Sequence, residues 1–187
     1  MQVDSKMFLA LVEETGSLMT FDIEASGLNA DYGSMLCMSY KNFGSEVKTI
    51  VVKQPGNDEE LALKAKEILE SAKCWLSFNG KMFDIRFINS SLLYYGHPPV
   101  DKRHHLDLYF QLKPKIRASR KGLGPLAGWL KLSEGKMGVS QSVWREAPDP
   151  VMWKEHKKTL VARCESDVRV LENMYKRTKS FIGEVTR

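Results

Sequence analysis

The stretch Ser17-Leu18-Met19-Thr20-Phe21-Asp22-Ile23-Glu24 constrains this chain more than any other. Its pattern predicts a strand, and successive side chains in a strand point to opposite faces. Met19, Phe21 and Ile23 then share one face, and Thr20, Asp22 and Glu24 share the other. Two carboxylates two residues apart, among large apolar neighbours, repel each other unless a cation or a proton sits between them. Hard divalent ions such as magnesium take oxygen ligands of this kind. Taken alone, the stretch is equally compatible with a strand end carrying two solvated acids.

The rest of the chain supplies a setting for that strand. Residues 5–15 read as a short helix stopped by Gly16, with Phe8, Leu9, Leu11 and Val12 at helical spacing. A turn-rich loop over residues 26–33 leads to strands over 34–42 and 47–53, joined as a hairpin near Phe43-Gly44-Ser45. After Pro55-Gly56, Asn57 or Asp58 caps a helix over 59–72. The short apolar run Cys74-Trp75-Leu76-Ser77-Phe78 reads as a buried strand, and Asn79-Gly80 turns it into a helix over 82–94. Phe83, Phe87, Leu92 and Tyr94 are packing candidates of that helix, and residues 104–108 suit a fifth strand. A short helix over 122–130 precedes a polar stretch, 133–148, that reads as irregular. Asp149-Pro150 starts the last helix, an N-cap acid followed by proline at the first position, running towards Ser180. Strands separated by helices pair in parallel through crossovers. The expectation is an α/β fold: a mixed sheet of about five strands flanked by helices, in one domain over residues 1–187, with sites where strand ends meet helix starts.

Composition narrows the function classes. No apolar run approaches the ~20 residues needed to span a bilayer, so no membrane partner is expected. Met1-Gln2-Val3-Asp4-Ser5-Lys6 lacks the pattern of a signal peptide. Cys37, Cys74 and Cys164 are odd in number and widely spaced, which reads as free thiols in a reducing, cytoplasmic setting. The net charge of +5 is concentrated: Lys113, Lys115, Arg117, Arg120 and Lys121 fall close together, and no acid lies between Asp107 and Glu134. That segment suits a polyanionic partner, or else a solvated loop.

Two further acids stand in telling places. Asp84, in Phe78-Asn79-Gly80-Lys81-Met82-Phe83-Asp84-Ile85-Arg86-Phe87-Ile88, lies at a helix start, where the dipole favours an anion. Asp167 lies in the last helix beside an apolar stripe of Leu160, Cys164, Val168 and Leu171. Asp-x-Glu on a first strand, then Asn-Gly-x-x-Phe-Asp-x-x-Phe-Ile, then a late helical Asp-Val resembles the DEDD superfamily of 3′–5′ exonucleases, which have a ribonuclease H-like fold. The long second motif resembles the proofreading-exonuclease domains of family B DNA polymerases and their stand-alone relatives. The match covers residue 18 to about 175.

The resemblance implies that Asp22, Glu24, Asp84 and Asp167 hold two divalent metal ions, Mg2+ or Mn2+. It implies hydrolysis of single-stranded nucleic acid from a 3′ end, DNA before RNA, with Asn79 and Phe83 at the substrate. Phosphodiester cleavage needs an activated water and stabilisation of the leaving oxygen, and two metals supply both. Arg117, Arg120 and Lys121 are the candidate phosphate contacts beside the cleft. Where these enzymes carry a Tyr four residues before the last Asp, or a His five before, this chain has Arg163 and Ala162. Arg163 has no acceptor and cannot take a proton, but it can donate to a phosphate oxygen. His156 and Tyr175 are too far along the helix to stand in as bases. Asp107 reads as structural, because the four-acid set is complete without it. His104, His105 and His156 read as partly exposed polar residues, and Trp129, Trp144 and Trp153 as core or docking residues. Two other readings stay open: a nucleic-acid-binding module of the same fold with weakened catalysis, and a structure-specific endonuclease.

Overall fold

Among the described residues, five strands form one mixed sheet: β1 (Leu18–Ala25), β2 (Met35–Asn42), β3 (Lys48–Val51), β4 (Cys74–Ser77) and β5 (His104–Asp107). The order across the sheet is β3-β2-β1-β4-β5. The first three strands form an antiparallel meander, and β4 and β5 continue the sheet in parallel with β1. The structure, a computed structural model, describes residues 5–135 and 137–183. Residues 1–4 of the N-terminal stretch read for a signal peptide lie outside the described residues.

Seven α-helices among the described residues accompany the sheet: α1 (Ser5–Glu14), α2 (Glu59–Ser71), α3 (Asp84–Tyr94), α4 (Leu108–Leu112), α5 (Leu123–Trp129), α6 (Gln141–Glu146) and α7 (Pro150–Thr178). This is the expected α/β architecture, a mixed sheet of five strands accompanied by helices. The alternation in β1 sends Met19, Phe21 and Ile23 into a core with Leu61, Ala65 and Leu69 of α2 and Phe87, Ile88 and Leu92 of α3. Leu18, on the opposite face, joins Leu9 and Val12 of α1, Leu126 of α5, and Val170, Leu171 and Met174 of α7. The central strand is thus covered on both sides, and of its polar positions Thr20 and Glu24 are buried and Asp22 is half-buried.

Several expectations need correction. Residues 133–148 are not wholly irregular: Ser140 caps α6 by accepting from the Ser142 N–H. Residues 108–112 form α4, which follows β5 directly, with Asp107 as its cap. Asp58 precedes α2 but does not cap it through its side chain. Its Oδ2 instead accepts the Met35 N–H and the Ser91 hydroxyl, both at 2.8 Å, and so ties α2 to β2 and α3. Trp153 is buried as expected, but Trp129 is 61% exposed. Tyr94 also faces solvent rather than the core. Asp149 caps α7 through Val151 and Met152, with Pro150 in its first turn, as the sequence predicts.

Candidate active site

Three carboxylates meet under α7. In β1 the register sets Asp22 opposite Ser39 and Glu24 opposite Cys37 of β2. The Cys164 thiol of α7 donates to the Asp22 carbonyl at 3.2 Å, which holds the helix against the strand. Thr49 of β3 donates to Glu165 at 3.0 Å and fixes the helix to the far side of the meander. Asp167, three residues beyond Cys164, then turns inward with only 2% of its surface exposed. One oxygen each of Asp22, Glu24 and Asp167 lies within 4.8 Å of the others. Asp22 is half-buried, and the other two are buried.

Asp84 stands beside this trio but outside its tight grouping. Its Oδ1 accepts the Ile23 N–H at 3.0 Å, between the two acids of β1. Burial, with repulsion from Asp107 and Glu24, pushes its carboxyl up to about 7. The loop that presents it is built by the Asn-Gly pair. Asn79 adopts a left-handed φ of 65° and its carbonyl accepts from Met82 and Phe83. A Cβ on Gly80 would lie 2.6 Å from Ser77, so only glycine fits there. Asp107 clasps the same loop, accepting the N–H groups of Asn79 (2.8 Å), Lys81 (3.0 Å) and Tyr109 (3.1 Å). Burial raises its carboxyl from the ordinary range. Asp107 is therefore occupied in holding the loop, in agreement with its structural reading.

A cation already faces the acids. Arg163, one turn before Asp167, brings Nε to 2.8 Å from Glu24 Oε1 and Nη2 to 3.5 Å from Asp167 Oδ2. The Nε contact is an ion pair without the alignment of a hydrogen bond. Nη1 donates to the Met137 carbonyl at 2.6 Å, and the guanidinium stacks 4.9 Å from the Trp144 ring centroid. Trp144 Nε1 in turn donates to Glu24 Oε2 at 2.7 Å. Sequence reasoning missed this seat of Trp144 and Met137. The only trace of it is a tryptophan in an otherwise polar stretch.

The remaining candidates fall in three places. Phe83 packs on Phe87 and lines an open groove of about 570 Å³ with Leu28, Met82, Arg86 and Tyr94. Of its lining residues, Leu28 follows the end of β1 by three positions and Phe83 immediately precedes Asp84 in the chain. The described bonds of Asn79 are backbone ones that shape the turn. The anchored part of the basic segment lies elsewhere. Lys115 Nζ donates to the Phe181 carbonyl, and Lys121 Nζ to the Lys113 carbonyl. Phe181 is roughly 20 Å from Asp167 along the helix axis at 1.5 Å per residue. Lys115 thus meets the chain just beyond the end of α7.

The histidines and tyrosine weighed as bases are engaged elsewhere. His156 pairs with Glu146 at 2.9 Å, and the Tyr175 hydroxyl bonds to Glu13. His105 is buried, not partly exposed. It bonds to Ser77 Oγ at 2.7 Å, and burial with the nearby Lys81 charge holds its imidazole down at about 3, hence neutral.

The donor set fits hard divalent cations. It offers carboxylate oxygens, among the described residues no cysteine–histidine cluster competes with it, and three converging negative charges exceed the single guanidinium that faces them.

A family model of the RNase_H superfamily matches residues 19–179. The chain is also similar in structure to the family B DNA polymerase from the hyperthermophilic archaeon Pyrobaculum calidifontis, with a TM-score of 0.68 and 15% sequence identity. The similarity covers 87% of this chain and 24% of the polymerase. At that identity it speaks for the fold, and the chain spans about a quarter of the polymerase's length. No curated protein matches the chain.

Proposed function

Because the chain belongs to the RNase_H superfamily, a nuclease-type fold, we propose that it is a metal-dependent 3′–5′ exonuclease acting as one domain on single-stranded nucleic acid, DNA before RNA. The observation that carries this reading is the convergence of Asp22, Glu24 and Asp167 within 4.8 Å. These three would hold two divalent ions, Mg2+ or Mn2+, with Asp84 completing the set. When bound, such ions supply water activation and charge stabilisation at the leaving oxygen.

The chain's own residues then have separable tasks. Asp84 fixes β1 through the Ile23 N–H and so sets the spacing of Asp22 and Glu24. The open groove exposes Leu28, Met82 and Tyr94, which suit unstacked bases, with Phe83 in its wall. Arg117, Arg120 and Lys121 contact phosphates of the strand away from the cleavage point. Arg163 cannot accept a proton from water. Deprotonation therefore does not pass through a side chain in the position of the family's Tyr or His.

End-labelled linear strands and closed circles, incubated with Mg2+ or Mn2+, test the reading. Stepwise shortening of linear strands from the 3′ end, with circles left intact, is expected. Cutting of circles would make the chain an endonuclease. One observation favours the weakened binding module: Arg163 pairs with two of the acids. Binding of both substrates with cleavage of neither would establish that reading instead.

A further inference from the structure

The proposed metal reading leaves Arg163 to be explained, because its guanidinium sits where a cation is wanted. We propose that Arg163 is a built-in counter-cation of the acid cluster, exchanged for the divalent ions, and that its release opens a strap formed by residues 137–146. The inference rests on the metal-dependent reading given above.

Both Glu24 oxygens face protein donors: Oε1 faces Arg163 Nε at 2.8 Å and Oε2 accepts Trp144 Nε1 at 2.7 Å. Arg163 Nη2 also lies 3.5 Å from Asp167 Oδ2. A hard divalent ion needs these same oxygens, and a guanidinium a few ångströms away repels it. The two cations therefore compete for one site. The protein's hold on the acids is also suited to exchange. The Arg163–Glu24 contact is coulombic and unaligned, so a doubly charged ion displaces it without breaking a directional bond.

The strap is tied to the site by the same residues. Arg163 Nη1 donates to the Met137 carbonyl, and the guanidinium stacks on Trp144. Ahead of the strap, Ser166 Oγ reaches the Gly135 carbonyl at 3.4 Å, and Arg169 lies 3.7 Å from Glu134. α6 itself contributes no fully buried residue. Its apolar hold is limited to the partly buried Val143 and Trp144, with Ala147 buried where the chain rejoins the core, and a segment with few buried apolar contacts opens at low cost. Loss of the Trp144–Glu24 bond and of the Arg163 stack would loosen it at the point directly over the acids. The freed guanidinium, with five donors, is then available to a phosphate of the strand being cut.

Calorimetric titration of Mg2+ into the wild type, Arg163→Gln and Asp22→Ala tests the exchange, together with tryptophan emission on the same samples. The account expects Arg163→Gln to bind Mg2+ at least 10-fold more tightly than the wild type. It also expects Mg2+ to change the wild-type emission, and that change to vanish in Trp144→Phe and in Asp22→Ala. Equal or weaker Mg2+ affinity in Arg163→Gln overturns the inference and leaves the metal reading intact. Mg2+ binding without any change in Trp144 emission also overturns it. If neither the wild type nor Arg163→Gln binds Mg2+, the metal reading itself fails and the inference falls with it. Should Arg163→Gln not fold, the wild-type and Trp144→Phe emission comparison decides alone.

Discussion

Asp84 is the residue whose environment makes the most direct claim. An aspartate in an unfolded chain titrates near 3.9, whereas burial raises Asp84 to about 7 in the folded protein. The folded state therefore keeps a proton that the unfolded chain gives up. The stability this contributes is complete below about pH 4 and is lost as pH rises through about 7. Urea denaturation in the presence of a chelator should show that decline, and Asp84→Asn should flatten it. Asparagine keeps an acceptor for the Ile23 N–H but cannot ionise. A wild-type profile unchanged by Asp84→Asn would place the titration elsewhere. Gly80 makes a steric claim of the same kind. Its missing Cβ would lie 2.6 Å from both Cβ and Oγ of Ser77. Gly80→Ala should cost about 1–3 kcal/mol, as for other overpacked sites, and a midpoint equal to the wild type would show that the loop yields freely.

At the scale of elements, the loop between β4 and α3 depends on an acid from the next strand. Asp107 is buried and accepts three backbone N–H groups. Asp107→Ala leaves those donors without their acceptor, and each such loss costs about 1–3 kcal/mol. We expect at least ~2 kcal/mol of destabilisation, with Asp107→Asn intermediate because it keeps one carbonyl acceptor. A silent Asp107→Ala would contradict the clasp. The sheet and the long helices were legible because their signals are local. The alternation of β1 and the apolar spacing of α2 place their ends within about a residue, and Asp149-Pro150 marks the start of α7. α4 was not legible, since it is five residues long and leads straight into a basic run. Nor was α6, which carries no buried residue and hence no periodic apolar face. Asp58 misled for a similar reason: a capping pattern is local, but its carboxylate is claimed by Met35 and Ser91 from elsewhere in the chain. At the site, the sequence order of Asp22, Glu24, Asp84 and Asp167 pointed to one cluster. The grip of Arg163 and Trp144 on Glu24 joins residues 120 and more positions apart, and no spacing rule announces it.

At the scale of the whole molecule, Asp167 lies in the interior of α7, and Lys115 of the basic segment is tied just beyond its C-terminal end. A strand that reaches both passes over the helix, and its binding carries the salt dependence of phosphate contacts. Each such contact on a single strand contributes about −0.7 to the slope of log affinity against log salt. Replacing Arg117, Arg120 and Lys121 with alanine should reduce that slope by up to about 2 and weaken binding across sequences. An unchanged slope would return the segment to a solvated loop. The central claim is that the carboxylates under α7 carry out cleavage through bound metal. The most direct test is the rate at which Asp22→Ala shortens an end-labelled single strand with Mg2+, beside a wild type that binds and folds alike. Loss of a ligand should raise the barrier by several kcal/mol, a fall on the order of 10³-fold or more. Cleavage by Asp22→Ala at near the wild-type rate would contradict the account.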